Sequence, residues 1–311
     1  MYELKTGDAL DKLKEIESDS IQCCVTSPPY FNLRDYGVDG QIGLEANPDA
    51  YIAKLVEVFS EVRRALKNDG TLWVNIGDSY YSKTKVNRNG KGASRLRDGN
   101  VSPEEPYMRE TTTKITLPYV EGLKPKDLIG IPWMLAFALR ASGWWLRQDI
   151  IWEKLNVMPA SVKDRCTTSH EYMFLLSKSQ RYYFDYEAIM EDAIYQEKRI
   201  GRVGSYQNNA MKTGVGGKVS VAQRDLTKRR KRSVWSINTR PYKGAHFAVF
   251  PPALIKPCLL AGSREGDTIL DPFAGSGTVG VVCKKLGRNF IGIELNPSYV
   301  ALAEKRIEEG K

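Results

Sequence analysis

Two short clusters near opposite ends of a 311-residue chain carry the residue types from which a reaction could be built. The first is Thr26-Ser27-Pro28-Pro29-Tyr30. Two successive prolines stiffen the backbone and remove two N–H donors, and both proline carbonyls are expected to point outward as pure acceptors. Ser27 adds a hydroxyl oxygen and Tyr30 an aromatic face. An amino group, with two hydrogens to donate, suits a site made of acceptors. Accepting those hydrogens localises the nitrogen lone pair for attack on an electrophile such as a methyl sulfonium. Tyr30 can stack on a base drawn out of a duplex, which base-modifying enzymes require. Taken alone, the segment reads first as a rigid proline turn over a buried tyrosine.

The second cluster is Asp271-Pro272-Phe273-Ala274-Gly275-Ser276-Gly277-Thr278, preceded by the apolar pair Ile269-Leu270. This is the pattern of a strand, a glycine-rich turn and a helix start. Glycines let a backbone approach a ligand closely. The helix N-terminus offers free N–H groups to a carboxylate, and Asp271 at the strand end can hold a cationic group. The next apolar run, Phe290-Ile291-Gly292-Ile293, ends in Glu294, 23 residues after Asp271. A carboxylate there can accept both hydroxyls of a ribose. The expected ligand therefore has a ribose and a small charged tail, and it is expected not to be a dinucleotide because no GxGxxG fingerprint is read here. No GxxxxGK[ST] phosphate loop is present.

The elements that must position these clusters follow from periodicity. The first thirty residues read strand, helix, strand, with Ala9, Leu10, Leu13 and Ile16 at helical spacing and Ile21 to Val25 as a buried strand. Residues 51–66 form an amphipathic helix ended by Asn68-Asp69-Gly70, and 71–76 the next strand. Residues 81–124 lack periodicity and read as a loop insertion. Helices are expected at 132–142, 250–261, 279–286 and 299–309, and strands at 148–152, 172–176, 268–270 and 289–294. The alternation predicts an α/β fold, a doubly wound and mostly parallel sheet. Residues 187–243, polar and without a core stripe, read as a small inserted module. The organisation expected is 1–186, then the module at 187–243, then 244–311 returning to the first domain.

The net charge of +9 is concentrated. Residues 186–245 hold 13 Lys/Arg against 5 Asp/Glu, and residues 82–100 hold 6 against Asp98 alone. Two basic segments on a near-neutral body point to a polyanion, nucleic acid first, or else to solvated loops. The chain has no run of apolar residues long enough for a membrane span, and no secretion signal is read at its start. Five scattered cysteines and two distant histidines give no metal or disulfide framework. A reducing, cytoplasmic setting is expected. Pro257-Cys258 resembles the nucleophile pair of cytosine C5 methyltransferases, but here it precedes the glycine turn, so Cys258, like Cys23 and Cys24, reads as a small core residue.

Together the clusters resemble the bacterial and phage amino-methyltransferases of DNA, in the permuted β-group order in which the catalytic motif precedes the cofactor motif. Thr26 to Tyr30 is similar to the family's [DNS]PP[YFW] motif and Asp271 to Gly277 to its DPFxGSGT motif. Thr6-Gly7-Asp8 resembles the family's N-terminal segment whose acid approaches the cofactor adenine. Gly244-Ala245-His246-Phe247-Ala248 with Phe250-Pro251 resembles the stretch that meets the methionine part. Trp152-Glu153-Lys154, Asn156, Met158-Pro159 and His170-Glu171 resemble the target-pocket stretch.

The resemblance implies a Rossmann-like methyltransferase fold, S-adenosyl-L-methionine as cofactor, double-stranded DNA as substrate and no metal. It implies catalytic roles for Ser27, Pro28, Pro29 and Tyr30, and cofactor contacts from Asp8, His246, Asp271, Phe273, Gly275, Ser276, Gly277, Thr278 and Glu294. Tyr30 and Trp152 would form the target-base pocket, and Lys228-Arg229-Arg230-Lys231-Arg232, within a target-recognition module, would contact phosphates. Family members with Ser before the prolines are more often cytosine-N4 enzymes, and those with Asp more often adenine-N6 enzymes. Ser27 thus inclines the reading to cytosine N4, with adenine N6 second. A homodimer and a cognate restriction endonuclease are further partners that the resemblance admits. The rivals are an RNA or protein-glutamine amino-methyltransferase, which usually places the cofactor motif first, and a non-catalytic DNA-binding regulator on the same fold.

Overall fold

A computed structural model describes residues 1–33, 38, 40–82, 84–87, 113–116, 120–193, 227–239 and 250–310. In chain order the elements are β1 (Tyr2–Thr6), α1 (Ala9–Lys14), β2 (Ile21–Thr26), α2 (Pro48–Ala65), β3 (Leu66–Ile76), β4 (Thr84–Asn87), β5 (Thr113–Thr116), α3 (Ile131–Ala141), β6 (Trp145–Glu153), β7 (His170–Ser177), β8 (Glu191–Asp192), β9 (Lys228–Arg229), β10 (Val234–Ser236), α4 (Pro252–Gly262), β11 (Thr268–Asp271), α5 (Thr278–Lys285), β12 (Asn289–Glu294) and α6 (Pro297–Glu309). No helix among the described residues is long and apolar enough to cross a membrane.

Eight strands form one sheet in the order β1-β12-β11-β2-β3-β7-β6-β10. Every pairing is parallel except the two made by β7, which alone runs the other way. Seven strands therefore end at one edge of the sheet, and β7 begins there. Successive side chains alternate between faces. Cys24, Leu72 and Val74 thus pack against Leu13, Leu55, Phe59 and Leu135 of α1 to α3. Cys23, Val25 and Trp73 pack on the other face with Leu254, Leu259, Val279 and Ile307 of α4 to α6. Buried on both faces, β2 is apolar throughout except for Gln22 and Thr26. This is the doubly wound α/β sheet that the sequence predicts.

Local chemistry sets the element ends. The Asn47 side chain caps α2 by accepting from the Ala50 N–H at 2.8 Å, and Pro48 occupies the first turn, where its missing N–H costs nothing. The helix ends at Ala65, earlier than Asn68-Asp69-Gly70, because Leu66 is fully buried as the first residue of β3, paired with Ile21.

Two further boundaries differ from expectation. The 81–124 segment contains, in its described residues, an antiparallel ribbon of β4 and β5, whose β-branched Thr84, Val86, Thr113, Ile115 and Thr116 suit strands. The 187–243 segment is not wholly a separate module, since β10 joins the main sheet beside β6 and its Trp235 is buried in the core.

One close approach fixes the glycine turn against β12. A Cβ on Gly280, one turn into α5, would stand 2.5 Å from Ile307 Cδ1 and 2.7 Å from Phe290 Cδ1. Gly280→Val is expected to lower stability by about 1–3 kcal/mol through overpacking. Urea denaturation measures this, and an unchanged midpoint would contradict the packing described.

Candidate active site

The strand ends at the common edge build one cleft. Its lining includes Gly7 and Asp8 after β1, Ser27 to Tyr30 and Leu33 after β2, Phe273 to Ser276 and Thr278 after β11, Glu294 at the end of β12, Asn296 and Tyr299 beyond it, and Phe250 before α4. It encloses about 1090 Å³ counting its open mouth, a size suited to a cofactor-like molecule. It lies where the chain order reverses: β2 leads outward to β3, and its neighbour β11 leads the other way to β12. In open α/β sheets such a switch point leaves a crevice for ligands. The two clusters, nearly 250 residues apart in sequence, therefore face one space.

They are also bonded to each other. Thr26 Oγ1 donates to Asp271 Oδ1 at 2.6 Å, and the Phe273 N–H donates to the same oxygen at 3.1 Å. Asp271 is 1% exposed. Its Oδ2 has no partner among the described residues. Glu294 accepts the Gly275 N–H at 2.9 Å on one oxygen and the Asn296 N–H at 2.8 Å on the other, so the acid also braces the glycine turn. Each oxygen keeps a further acceptor site. Gly275 and Gly277 have φ of +52° and +74°, a backbone that β-carbons disfavour. Gly275, Gly277 and Gly280 do stand in GxGxxG spacing, a correction to the sequence reading: glycine spacing does not exclude a dinucleotide. Ser276 and Thr278 receive hydrogen bonds from Arg306, at 2.6 and 3.3 Å, and so support the turn from behind. Asp8 caps α1 by accepting from the Asp11 N–H at 3.1 Å and lines the cleft.

In the other cluster, the Tyr51 hydroxyl donates to the Pro29 carbonyl at 2.8 Å. That carbonyl is thereby tied to α2 rather than free, a correction to the expectation that both proline carbonyls face outward. Among the described residues no hydrogen bond reaches the Pro28 carbonyl. The Tyr30 hydroxyl donates to Glu171 Oε2 at 2.7 Å and reaches Asn75 Oδ1 at 3.3 Å. Burial and the Glu171 carboxylate hold this phenol well above its ordinary pKa, so it is a neutral donor.

Some expected site residues lie elsewhere. Trp152 is 3% exposed, donates its N–H to the Ile237 carbonyl at 2.8 Å and packs in the core with Trp73 and Trp235. The structure thus does not bring it into the cleft. Of the basic run, Lys228 pairs with Asp192 and Arg229 and Arg232 pair with Glu191, while Arg230 and Lys231 lie over the rings of Tyr186 and Trp235. His246 and residues 244–249 fall outside the described residues. Cys258, Cys23 and Cys24 are fully buried core residues, and burial lifts each thiol well out of the nucleophile range. Sequence reasoning missed Asn75, Tyr51 and Arg306. For Arg306 a sign was present, a cation on the same stripe as the buried Ala303 and Ile307. Asn75 and Tyr51 carry no such sign, since their partners are distant in sequence.

Burial pushes the Asp271 carboxyl from 3.8 up to about 7, and burial also raises Glu294. Between those two values the folded protein holds a proton on Asp271 that the unfolded chain has released. This contribution to stability is complete below the unfolded value of 3.8 and is lost as pH rises through about 7. Asp271→Asn removes the charge that costs stability above neutrality. It should be the more stable protein at pH 8 by on the order of a few kcal/mol, with the gap closing toward pH 4. Thermal melts across this range test it, and a parent protein equally stable at pH 8 would contradict the buried, strained carboxylate.

A sequence profile described as DNA methylase (N6_N4_Mtase) matches residues 21–305. The Type II methyltransferase M.Cfr9I of Citrobacter freundii is 48% identical over 302 residues, covering 97% of this chain and 86% of the relative. The Type II methyltransferase M.SmaI of Serratia marcescens is 48% identical over 301 residues, covering 97% and 89%. Two solved structures share the fold. PvuII DNA methyltransferase (cytosine-N4-specific) has a TM-score of 0.62 at 17% identity, covering 100% of this chain and 93% of that one. TTHA0409 of Thermus thermophilus, complexed with S-adenosyl-L-methionine, has a TM-score of 0.60 at 23% identity, covering 100% and 94%. With a cleft that unites both sequence clusters and relatives matched along nearly its whole length, this chain belongs to the N6/N4 DNA methylase family.

Proposed function

We propose that this chain methylates the exocyclic amino group of a base in double-stranded DNA at a specific sequence, using S-adenosyl-L-methionine, with cytosine N4 as the acceptor. The observation that carries the reading is the single cleft lined by Ser27 to Tyr30 on one side and by the Phe273–Ser276 turn with Glu294 on the other. The residues fit the cofactor. Glu294 has acceptor capacity left for two ribose hydroxyls. Phe250, Phe273 and Tyr299 supply ring surface, and Asp271, buried next to the lining residue Pro272, has an Oδ2 without a partner among the described residues that would suit an ammonium group. When bound, the cofactor supplies a methyl group activated on a positive sulfur.

The chain's own part is positioning. Ser27 Oγ and the Pro28 carbonyl accept the two amino hydrogens and aim the nitrogen lone pair. Tyr30 offers its ring to the extruded base. Cys23, Cys24, Cys258 and Cys283 are buried, so none of these four thiols takes part. The choice of cytosine rests on Ser27 at the head of the motif. Residues 187–243 would supply sequence recognition, with duplex phosphates competing with Glu191 for Arg229 and Arg232. The relatives' names, Type II methyltransferases, support a cytoplasmic role beside a restriction endonuclease of the same specificity.

The test incubates the protein with labelled S-adenosyl-L-methionine and unmethylated mixed-sequence duplex, then digests the DNA for nucleoside mass spectrometry. N4-methylcytosine is the expected product. N6-methyladenine would overturn the base assignment. Label in RNA or protein only, or no transfer despite DNA binding, would overturn the class. Ser27→Ala should slow transfer on the order of 100-fold while DNA binding persists.

A further inference from the structure

A charged pair stands behind Tyr30. Glu171, at the start of β7, accepts the Tyr30 hydroxyl on Oε2, and on Oε1 it meets the ammonium of Lys154, which follows β6. The Asn75 amide donates to the same Glu171 Oε2 at 3.2 Å and to the Tyr172 carbonyl at 3.1 Å. Lys154 Nζ lies 4.4 Å from the ring centre of the buried Trp152. Gly77 closes the arrangement: a Cβ there would stand 2.9 Å from Tyr30 Cε2 and 3.2 Å from Glu171 Cγ. Strands β3, β6 and β7 thus converge on one phenol that belongs to none of them.

The Lys154 and Glu171 side chains are only 18% and 17% exposed. A pair so far removed from water returns little net stability, because desolvation offsets the attraction. Its arrangement has a clear outlet in Tyr30. A phenylalanine at position 30 would fill the same space and leave Glu171 with no phenol to hold.

We infer that Glu171, oriented by Lys154 and Asn75, is the positioning residue that fixes the plane of the Tyr30 ring before an acceptor base arrives. This rests on the reading of Tyr30 as the ring that meets the base. The hydrogen bond removes the ring's freedom during folding, so that ordering is not required at the moment of reaction. Trp152, expected to touch the base, instead forms the floor under Lys154, with Lys154 and Glu171 standing between it and Tyr30.

Four variants test this in single-turnover methyl transfer at saturating DNA and cofactor. Tyr30→Phe and the paired Glu171→Leu/Lys154→Met, which leaves no lone charge, should each lower the rate about tenfold, while cofactor Kd, measured separately by titration, stays unchanged. Combining all three changes should lower it no further, because both break one interaction. Glu171→Gln with Lys154→Met, which restores an oxygen to face the phenol, should recover most of the rate. Multiplying losses, no rescue, or a full rate in Glu171→Leu/Lys154→Met would overturn the inference. The parent protein is the control: if it transfers no methyl to DNA, the reading of the site falls and this inference with it. If it does, failure of the variants sinks only the role of Glu171.

Discussion

Everything at this edge depends on β2 and β11 lying side by side and running the same way. Each ends in one of the two clusters, and only parallel pairing brings both ends to the same edge. The pairing is supported by apolar residues on both faces, Cys24 and Leu270 toward one layer of helices, Cys23 and Ile269 toward the other. The Thr26–Asp271 bond then fixes the relative height of the two strand ends at their last residues. A slip of one residue between these strands would turn every side chain to the opposite face. It would lose both core layers and the alignment of Ser27 with the glycine turn at once.

The polar groups of the cleft are held by the fold itself, before any ligand arrives. Glu294 is fixed by two backbone N–H groups, Asp271 by Thr26 and a backbone N–H, the turn by Arg306, and Tyr30 by Glu171. Such preorganisation has a cost in stability, visible as the raised carboxyls of Asp271 and Glu294. The large apolar layers on both sides of the sheet supply what the site gives up.

The strands and helices were legible in the sequence because their cause is local. β2 and β12 are apolar runs, and α2 has an apolar stripe with a capping asparagine. The two clusters were legible because each is contiguous. What escaped depends on contacts between distant segments. Trp152 reads as a site residue from its neighbours, yet its side chain falls on the core face of β6, as alternation with the buried Ile150 requires. Asn75 is one more residue in an apolar strand until β7 brings Glu171 beside it. β10, only three residues long, joins the sheet through its pairing with β6 and the packing of Trp235 with Trp73 and Trp152. The basic run looked like free positive charge because Glu191 and Asp192, nearly forty residues earlier, pair with it across β8 and β9.

The central claim is that both clusters bound one ligand cleft, and hydrogen–deuterium exchange with and without S-adenosyl-L-methionine tests it most directly. The account predicts slower exchange on cofactor addition in both halves of the chain, at residues 7–9, 27–33 and 40–42 as well as at 273–278 and 294–299. Protection confined to one cluster, or placed away from this edge of the sheet, would contradict it.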